Sequence, residues 1–340
     1  MRTVLVFPLA LGIACSLWVY QAQSQPSVAA RGSADGSATA GGDGDSAKVP
    51  PKPWIHYPLT SANYLIDVTF VDSVTGTIVG AGGMILHTGD GGKSWVTEVS
   101  GTKNDLYSVS FTDREHGTAV GLNGTILRTV NRGASWDQQQ SGVTTHLLGV
   151  AFISTDEGLA VGARGVILRT TDGGSHWEQQ ESGTGVNLKA VCYRTKRLCT
   201  AVGLGGTILQ SRDGGLTWKS QTCRTTRNIF AVTFRSPETG IAVGAGGTIL
   251  RTTNGGTTWS SQWSDTTMHF YGVSFGDDRV GLVVGSDGHI LRTNDGGVTW
   301  DPEVSTTYEY LYAVFMRNAR EATAIGNTGI LMHTTTGGLQ

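Results

Sequence analysis

Seven tryptophans set the frame of this chain. Trp54, Trp95, Trp136, Trp177, Trp218, Trp259 and Trp300 follow one another at intervals of 41 residues. A second series has the same pitch: Gly80, Gly121, Gly162, Gly203, Gly244, Gly285 and Gly326 each close a short apolar run, such as T-A-V-G at 118–121. No insertion or deletion disturbs either series, and 54–340 holds seven units with none left over. A period of this length belongs to stacked arrays, in which each copy of one small unit covers the apolar face of its neighbour.

Within a unit the pattern reads L-x-x-V-x-F, a turn, G-x-A-V-G, a glycine turn, G-T-I-L-R-T, a second turn D-G-G-x-x-W, and a run W-x-x-Q. The runs are short and rich in β-branched and aromatic residues, and glycine turns part them, so each unit is expected to form four antiparallel strands. The chain's 49 Gly against 8 Pro suits tight turns between strands. Four-stranded units of this period arranged about an axis predict an all-β fold, a seven-bladed β-propeller. Trp54 stands before the first inner run, whereas the seventh unit stops short of its tryptophan run. The segment from Trp54 is therefore expected to supply the outer strand of the last blade and close the ring, leaving no open seam.

Three regions are expected along the chain. Residues 1–24 carry one charge at Arg2, an apolar run from Val4 to Tyr20, and Ala22-Gln23-Ser24 as a cleavage site, which reads as an export signal. A lipid anchor at Cys15 and an uncleaved membrane helix are the alternatives, and all three place the body outside the cytoplasm, in a periplasm or an equivalent lumen. Residues 25–53 are dominated by Ser, Gly, Ala, Asp and Pro, too poor in apolar side chains to order themselves, and read as a tether. The propeller follows at 54–340.

The turn before each tryptophan is the most specific motif: T-G-D-G-G-K-S-W at 88–95, T-T-D-G-G-S-H-W at 170–177, and four further copies ending at Trp136, Trp218, Trp259 and Trp300. These resemble the Asp-box, or BNR, repeat. Its Asp or Asn can accept backbone N–H bonds inside the turn while glycine supplies positive φ, so the motif reads as structural. Taken with the G-x-A-V-G and I-L-R-T-T-D-G-G-x-x-W segments, the seven units and the export signal, the whole of 54–340 resembles the exported seven-bladed photosystem II stability and assembly factors. That family has relatives in bacteria without photosynthesis. The resemblance implies a non-enzymatic propeller that holds subunits of a membrane complex during assembly, through an arginine-rich surface.

Two sets of basic residues are candidates for such a surface. The position before the Asp-box turn holds His87, Arg128, Arg169, Gln210, Arg251, Arg292 and His333, which places four arginines at one radius of the ring. A long side chain covering the blade edge and bonding turn carbonyls is the plain reading of that slot. The second set breaks the repeat. Lys189, Arg194, Lys196, Arg197, Arg212, Lys219, Arg224, Arg227, Arg235 and Arg251 face only Asp213 and Glu238 in their segment, within a chain of net charge −2. Blades four and five are thus expected to form a positive sector able to steer acidic partner segments or anionic head groups. Arg194, Lys196, Arg197, Arg224 and Arg227 are its chief candidates, with Arg128, Arg169, Arg251 and Arg292 from the ring.

Cys192 and Cys199 replace the usual small residues together, on neighbouring strands of one hairpin, and a cross-strand disulfide is expected in an exported protein; pairing of Cys223 with Cys199 is the alternative. Neither Cys-x-x-Cys nor His-x-x-x-His occurs, so no metal and no cofactor are expected. One slot at the start of the inner strands reads Ile66, Tyr107, Leu148, Lys189, Phe230, Tyr271 and Tyr312, where aromatics either pack between blades or collar the channel mouth. Asp67 stands where other units have Ser, Gly or Ala, and reads as a carboxylate facing a wet channel.

The function these features favour is a monomeric scaffold that binds a protein partner, a membrane-complex subunit with acidic segments, with a membrane surface as a further partner and no role for nucleic acid. The alternatives are an Asp-box glycoside hydrolase or sialidase, or a sugar-binding propeller. A hydrolase needs two carboxylates about 5–9.5 Å apart, or a tyrosine nucleophile amid arginines. Asp105, Asp265 and Glu309, the acids that vary between units, fall in loops of different blades with no evident pairing, so no catalytic residue is assigned.

Overall fold

The computed structural model describes residues 54–57 and 63–336. The export signal and tether expected at 1–24 and 25–53 lie outside the described residues. Seven four-stranded antiparallel sheets make up the described body. The first blade shows the plan, with an inner strand Leu65–Phe70, a second Gly76–Gly80, a third Ile85–Thr88 and an outer Val96–Glu98. Neighbouring inner strands pack against each other all round, and Leu65–Phe70 meets Leu311–Met316 of the seventh blade, so the ring is closed.

Each blade alternates its side chains between two neighbours, and the core is therefore a set of inter-blade layers. One layer joins Leu65, Val68 and Ile78 of the first blade to Ala313, Ile325 and Leu331 of the seventh. The residues that end the inner strands show how local choices are coupled. Phe70, Phe111, Phe152 and Phe234 each meet their blade's tryptophan edge to face, with ring centroids 5.9 Å apart. Each of these rings lies over a glycine at the start of the second strand, so that a methyl group on Gly117 would run into the Phe111 ring. Where the ring is absent, in the seventh blade, Met316 and Ala322 fill the same space beside Trp54.

The period-marking glycines answer to a different constraint. Their φ lies near −165°, an extended value open to any residue. A methyl at Gly121 would instead strike the carbonyl oxygen of Asp105, which accepts the Leu122 N–H at 2.9 Å. The close approach of blade and connecting loop demands glycine there. Opposite each of these glycines the inner strand carries a β-bulge: Leu65 pairs with Gly80 and Asp67 with Val79, leaving Ile66 out of register. The same shift recurs in all seven blades.

Ile55–His56 is the outer strand of the seventh blade, with Ile55 opposite His333 and His56 opposite Met332, and Tyr57 donates to the Leu331 carbonyl at 2.9 Å. Trp54 is fully buried among Leu282, Leu311, Met316 and Met332, more completely than any other tryptophan of the series. Beside it lies Glu303, whose side chain is almost sealed from solvent and 3.6 Å from Arg292 Nη1. Burial pushes the Glu303 carboxyl up to about 7, against the opposite pull of Arg292 and the Trp54 indole.

Two predictions arise from this seam. Trp54→Ala should cost about 3–5 kcal/mol in urea unfolding, and it should speed hydrogen exchange in Leu331–Thr334 while sparing the blade opposite. The folded state holds the Glu303 proton more tightly than the unfolded chain does. Its contribution to stability is thus fully present below the ordinary value of 4.5 and lost as pH rises through about 7. Gln139, Gln180, Gln221 and Gln262 hold the equivalent place in other blades. Glu303→Gln should therefore raise the melting temperature above pH ~7 and converge with wild type near pH ~4.5. A lower melting temperature for the variant at alkaline pH would show that the Arg292 pairing outweighs the burial.

Candidate partner-binding surface

Strand direction divides the loops between two ends of the propeller. One end carries the Asp-box turns and the hairpins joining first and second strands, tied together by bonds such as Gly91 N–H to the Val74 carbonyl, 2.8 Å. The other carries the short turns after the second strands, such as Ala81–Gly83, and the connections from one blade to the next. At that end the Gly82 N–H donates to Asp105 Oδ1 at 2.8 Å, and the Gly205 N–H to Asn228 Oδ1 at 3.0 Å.

The Asp-box turns consume their own polar groups. Asp90 Oδ1 accepts the backbone N–H of Lys93 and Ser94 at 2.9 and 3.0 Å, and Oδ2 takes the Ser94 hydroxyl at 2.6 Å. The Thr88 hydroxyl oxygen accepts from Gly92, whose φ is 86°, so positive φ is used where glycine supplies it. In Asp172 the His176 backbone N–H, with the His176 ring, holds the carboxyl down at about 2. In Asp213, burial alone would raise the value, but the Thr217 hydroxyl and amide outweigh it, again giving about 2. These carboxylates remain ionised and occupied, poorly placed to act as a general acid. Of the variable acids, Asp105 is engaged by Gly82, and among the described residues no cluster of three or more His, Cys, Asp or Glu could hold a metal ion.

Arginines of the ring slot reach across to the next blade. Arg128 is buried, stacks 5.0 Å from the Phe152 ring centroid, and donates to Thr118 Oγ1 and the Thr155 carbonyl. Arg292 is buried and donates to Asn294 Oδ1 and the Ala319 carbonyl. Arg169 and Arg251 are half-buried and donate to the Gly214 and Gly296 carbonyls, at 2.9 and 3.1 Å. Gln210 makes the same reach to Gly255. As partner-binding candidates, Arg128 and Arg292 are corrected: their guanidinium groups are enclosed and act as staples between blades, which explains why a shorter amide can stand in the slot.

The positive sector is also rearranged. Arg194, Lys196 and Arg197 lie on a hairpin at the Asp-box end, whereas Arg224 and Arg227 lie on the connection at the opposite end. The five therefore do not share one surface. Arg194 is half-buried, with its guanidinium 5.0 Å from the Phe234 ring centroid and bonded to the Pro237 carbonyl at 2.8 Å, a structural staple like the others. Lys196, Arg197, Arg212 and Lys219 are exposed together at the Asp-box end of the fourth blade. Arg224 and Arg227 are exposed at the other end, where Arg227 donates to the Gly246 carbonyl.

The cysteine pairing is corrected as well. Cys192, Cys199 and Cys223 are free thiols. In the hairpin, Cys199 stands opposite Tyr193 and Cys192 opposite Thr200, so the two sulfurs point to opposite faces of the sheet. Cys199 packs with Leu159 and Trp218, while Cys192 packs with the layer containing Val202 and Trp259. Burial pushes both thiols up to about 12. Cys223 instead donates its S–H to the Gly206 carbonyl at 2.8 Å. Asp67 is not in open solvent either. It is half-buried between blades one and two, accepting from Val68, Ser108 and Val109 at 2.9 Å each, and desolvation pushes it up to about 6.

Several exposed groups escaped the sequence reading. Trp263 is 80% and Tyr308 91% exposed, on the connections leaving blades five and six. Their slots hold Pro, Val, Gln, Glu or Thr, and Ala, Lys, Thr or Gly, in other units, so a departure from the repeat at an outward position was the available signal. Arg164 is exposed at the tip of the turn Ala163–Gly165, at that same end.

Comparison with known proteins fits this architecture. The family model of the photosynthesis system II assembly factor YCF48 matches residues 47–136, 97–181, 179–253 and 253–340. Among solved structures, "YCF48 bound to D1 peptide" superposes with a TM-score of 0.72 at 21% identity, covering 85% of this chain and 96% of that one. YCF48 from Cyanidioschyzon merolae gives 0.70 at 22%, covering 83% and 98%. A GH74 xyloglucanase from Xanthomonas campestris gives 0.68 at 14%, covering 84% of this chain and 54% of that chain, a likeness of fold alone. No curated protein matches the chain. With successive matches running through all seven repeats, the chain belongs to the YCF48 family of photosynthesis system II assembly factors.

Proposed function

We propose that this chain is a non-enzymatic binding scaffold, exported from the cytoplasm into a periplasm or equivalent lumen, that acts as a monomer. Its partner is a protein subunit of a membrane or envelope complex, held through an acidic segment during assembly. The observation that carries this reading is the exposed basic group of the fourth blade, Lys196, Arg197, Arg212 and Lys219. The one carboxylate on its Asp-box turn, Asp213, is already committed to Thr217 and Ser211. Uncompensated charge on a rigid body raises encounter rates with acidic partners by about 10–10³ and makes them salt-dependent. Family membership and the D1 peptide bound by a relative support a protein partner. Burial of Arg128 and Arg292, with Arg169 and Arg251 engaged by carbonyls of the next blade, supports placing recognition on the blade-four loops.

Pull-down from detergent-solubilised membranes tests the reading. Wild-type protein should retain membrane-complex subunits at low salt and lose them as salt rises. Lys196→Glu with Arg197→Glu should lower retention about tenfold or more without changing the melting temperature. Retention unchanged by that reversal would remove the basic group from the account, and recovery of no membrane-complex subunit by wild type would remove the scaffold role.

A further inference from the structure

The β-bulge that opens each inner strand leaves one residue out of register, at the end opposite the Asp boxes. The fold does not dictate what stands there. Ile66, Tyr107, Leu148, Lys189, Phe230, Tyr271 and Tyr312 all occupy the same place, all half-buried, on bulges of the same register. Yet three consecutive blades carry aromatics, and their rings form a row. Phe230 and Tyr271 have centroids 5.5 Å apart, Tyr271 and Tyr312 5.7 Å, and Tyr312 and Tyr64 6.5 Å. Tyr310 and His269 join it from the connecting loops, 6.3 and 6.4 Å from Tyr271. In four other blades the slot of Tyr310 and His269 is filled by an Asp, Asn or His that accepts a turn N–H, as His269 Nδ1 itself accepts that of Gly246 at 2.9 Å. Farther out at the same end, the exposed Tyr308 and Trp263 add aromatic surface on the same blades.

We infer that this row is a docking track for an extended peptide segment bearing carboxylates beside aromatic or proline side chains. The pitch is that of an extended chain. Alternate side chains on one face of a strand lie about 6.6 Å apart, and alternate residues of a polyproline helix about 6.2 Å. Charge supplies the rest of the match. Lys189 holds the bulge position next to Phe230, and Arg227, Arg224 and Arg164 lie on the loops and turns of that flank, at the same end. Asp287 lies on the turn Ser286–Gly288 of the blade that carries Tyr271, and Glu309 stands between Tyr308 and Tyr310 on the connection leaving blade six. The basic flank attracts carboxylates and these acids repel them, so the peptide's direction is set. This inference rests on the scaffold reading and adds a second contact with the partner, at the end away from Lys196 and Arg197.

The test uses the triple variant Phe230→Leu, Tyr271→Leu, Tyr312→Leu, since Ile66 and Leu148 show that aliphatic side chains suit the bulge. A displayed library of random peptides is selected on wild-type protein, and the enriched sequences are synthesised and titrated by fluorescence anisotropy. The expected result is enrichment of acidic sequences with aromatic or proline residues. Their affinity should fall about tenfold or more for the triple variant and for Lys189→Glu with Arg227→Glu, but stay within about twofold for Lys196→Glu with Arg197→Glu. No enrichment, or equal binding to the triple variant at an unchanged melting temperature, would overturn the track. So would a xyloglucan oligosaccharide that binds wild type and not the variant, which would reassign the row to a sugar. Membrane-complex subunits still retained in pull-down by the triple variant would show the scaffold role standing after the track had fallen.

Discussion

Antiparallel sheets arranged around an axis bury their faces against one another, but each leaves an outer strand, and a ring made by one chain must also join its ends. Here the join is a strand of two residues, Ile55–His56, paired with Leu331–Thr334 of the last blade. Two residues of ladder supply little by themselves. The seam is held by what stands beside them, Trp54, with no exposed surface, inside the layer shared by blades six and seven. The remaining six tryptophans do the same within continuous blades. Only at Trp54 does the anchoring side chain come from the far end of the repeat, so loss of its packing affects closure as well as core.

Polar residues in the inter-blade spaces follow a similar economy. Arg128, Arg169, Arg251 and Arg292 cross from one blade to carbonyls of the next, and Gln210 makes the same crossing without a charge. A guanidinium with several donors satisfies carbonyls that the turns leave over, while its flat face covers an aromatic ring, as Arg194 does over Phe234. Most of the repeating arginines are thereby committed to the body. The charge left for a partner resides where the repeat is broken, on the loops of blade four at one end and on Arg224 and Arg227 at the other.

The two ends differ in chemistry for a reason rooted in the hairpins. At the Asp-box end, carboxylates, hydroxyls and amides saturate one another within each turn, leaving mainly the non-repeating lysines and arginines with spare capacity. At the opposite end, each bulge projects a side chain whose identity the backbone does not restrict, and the connections are free to carry residues such as Tyr308 and Trp263. Recognition is most easily varied at that end without disturbing the sheets.

The 41-residue period by itself determined the unit, the number of blades and the four strands of each, because strand alternation and turn glycines are local properties that repeat in register. The Asp-box motif was legible in the same way, since its bonds run between residues at most four apart. What depended on distant contacts was not. Whether Cys192 faces Cys199 turned on a register of one residue, and that register places them on opposite faces. Charges contiguous in sequence were divided between two ends because an antiparallel blade sends successive loops in opposite directions. The aromatic row existed in the sequence only as residues 41 apart, and closing the ring was what brought Tyr64 beside Tyr312. Sequence carries the blade because a blade is made by neighbours along the chain; the surface belongs to the tertiary structure because it is assembled from positions that meet only when the ring shuts.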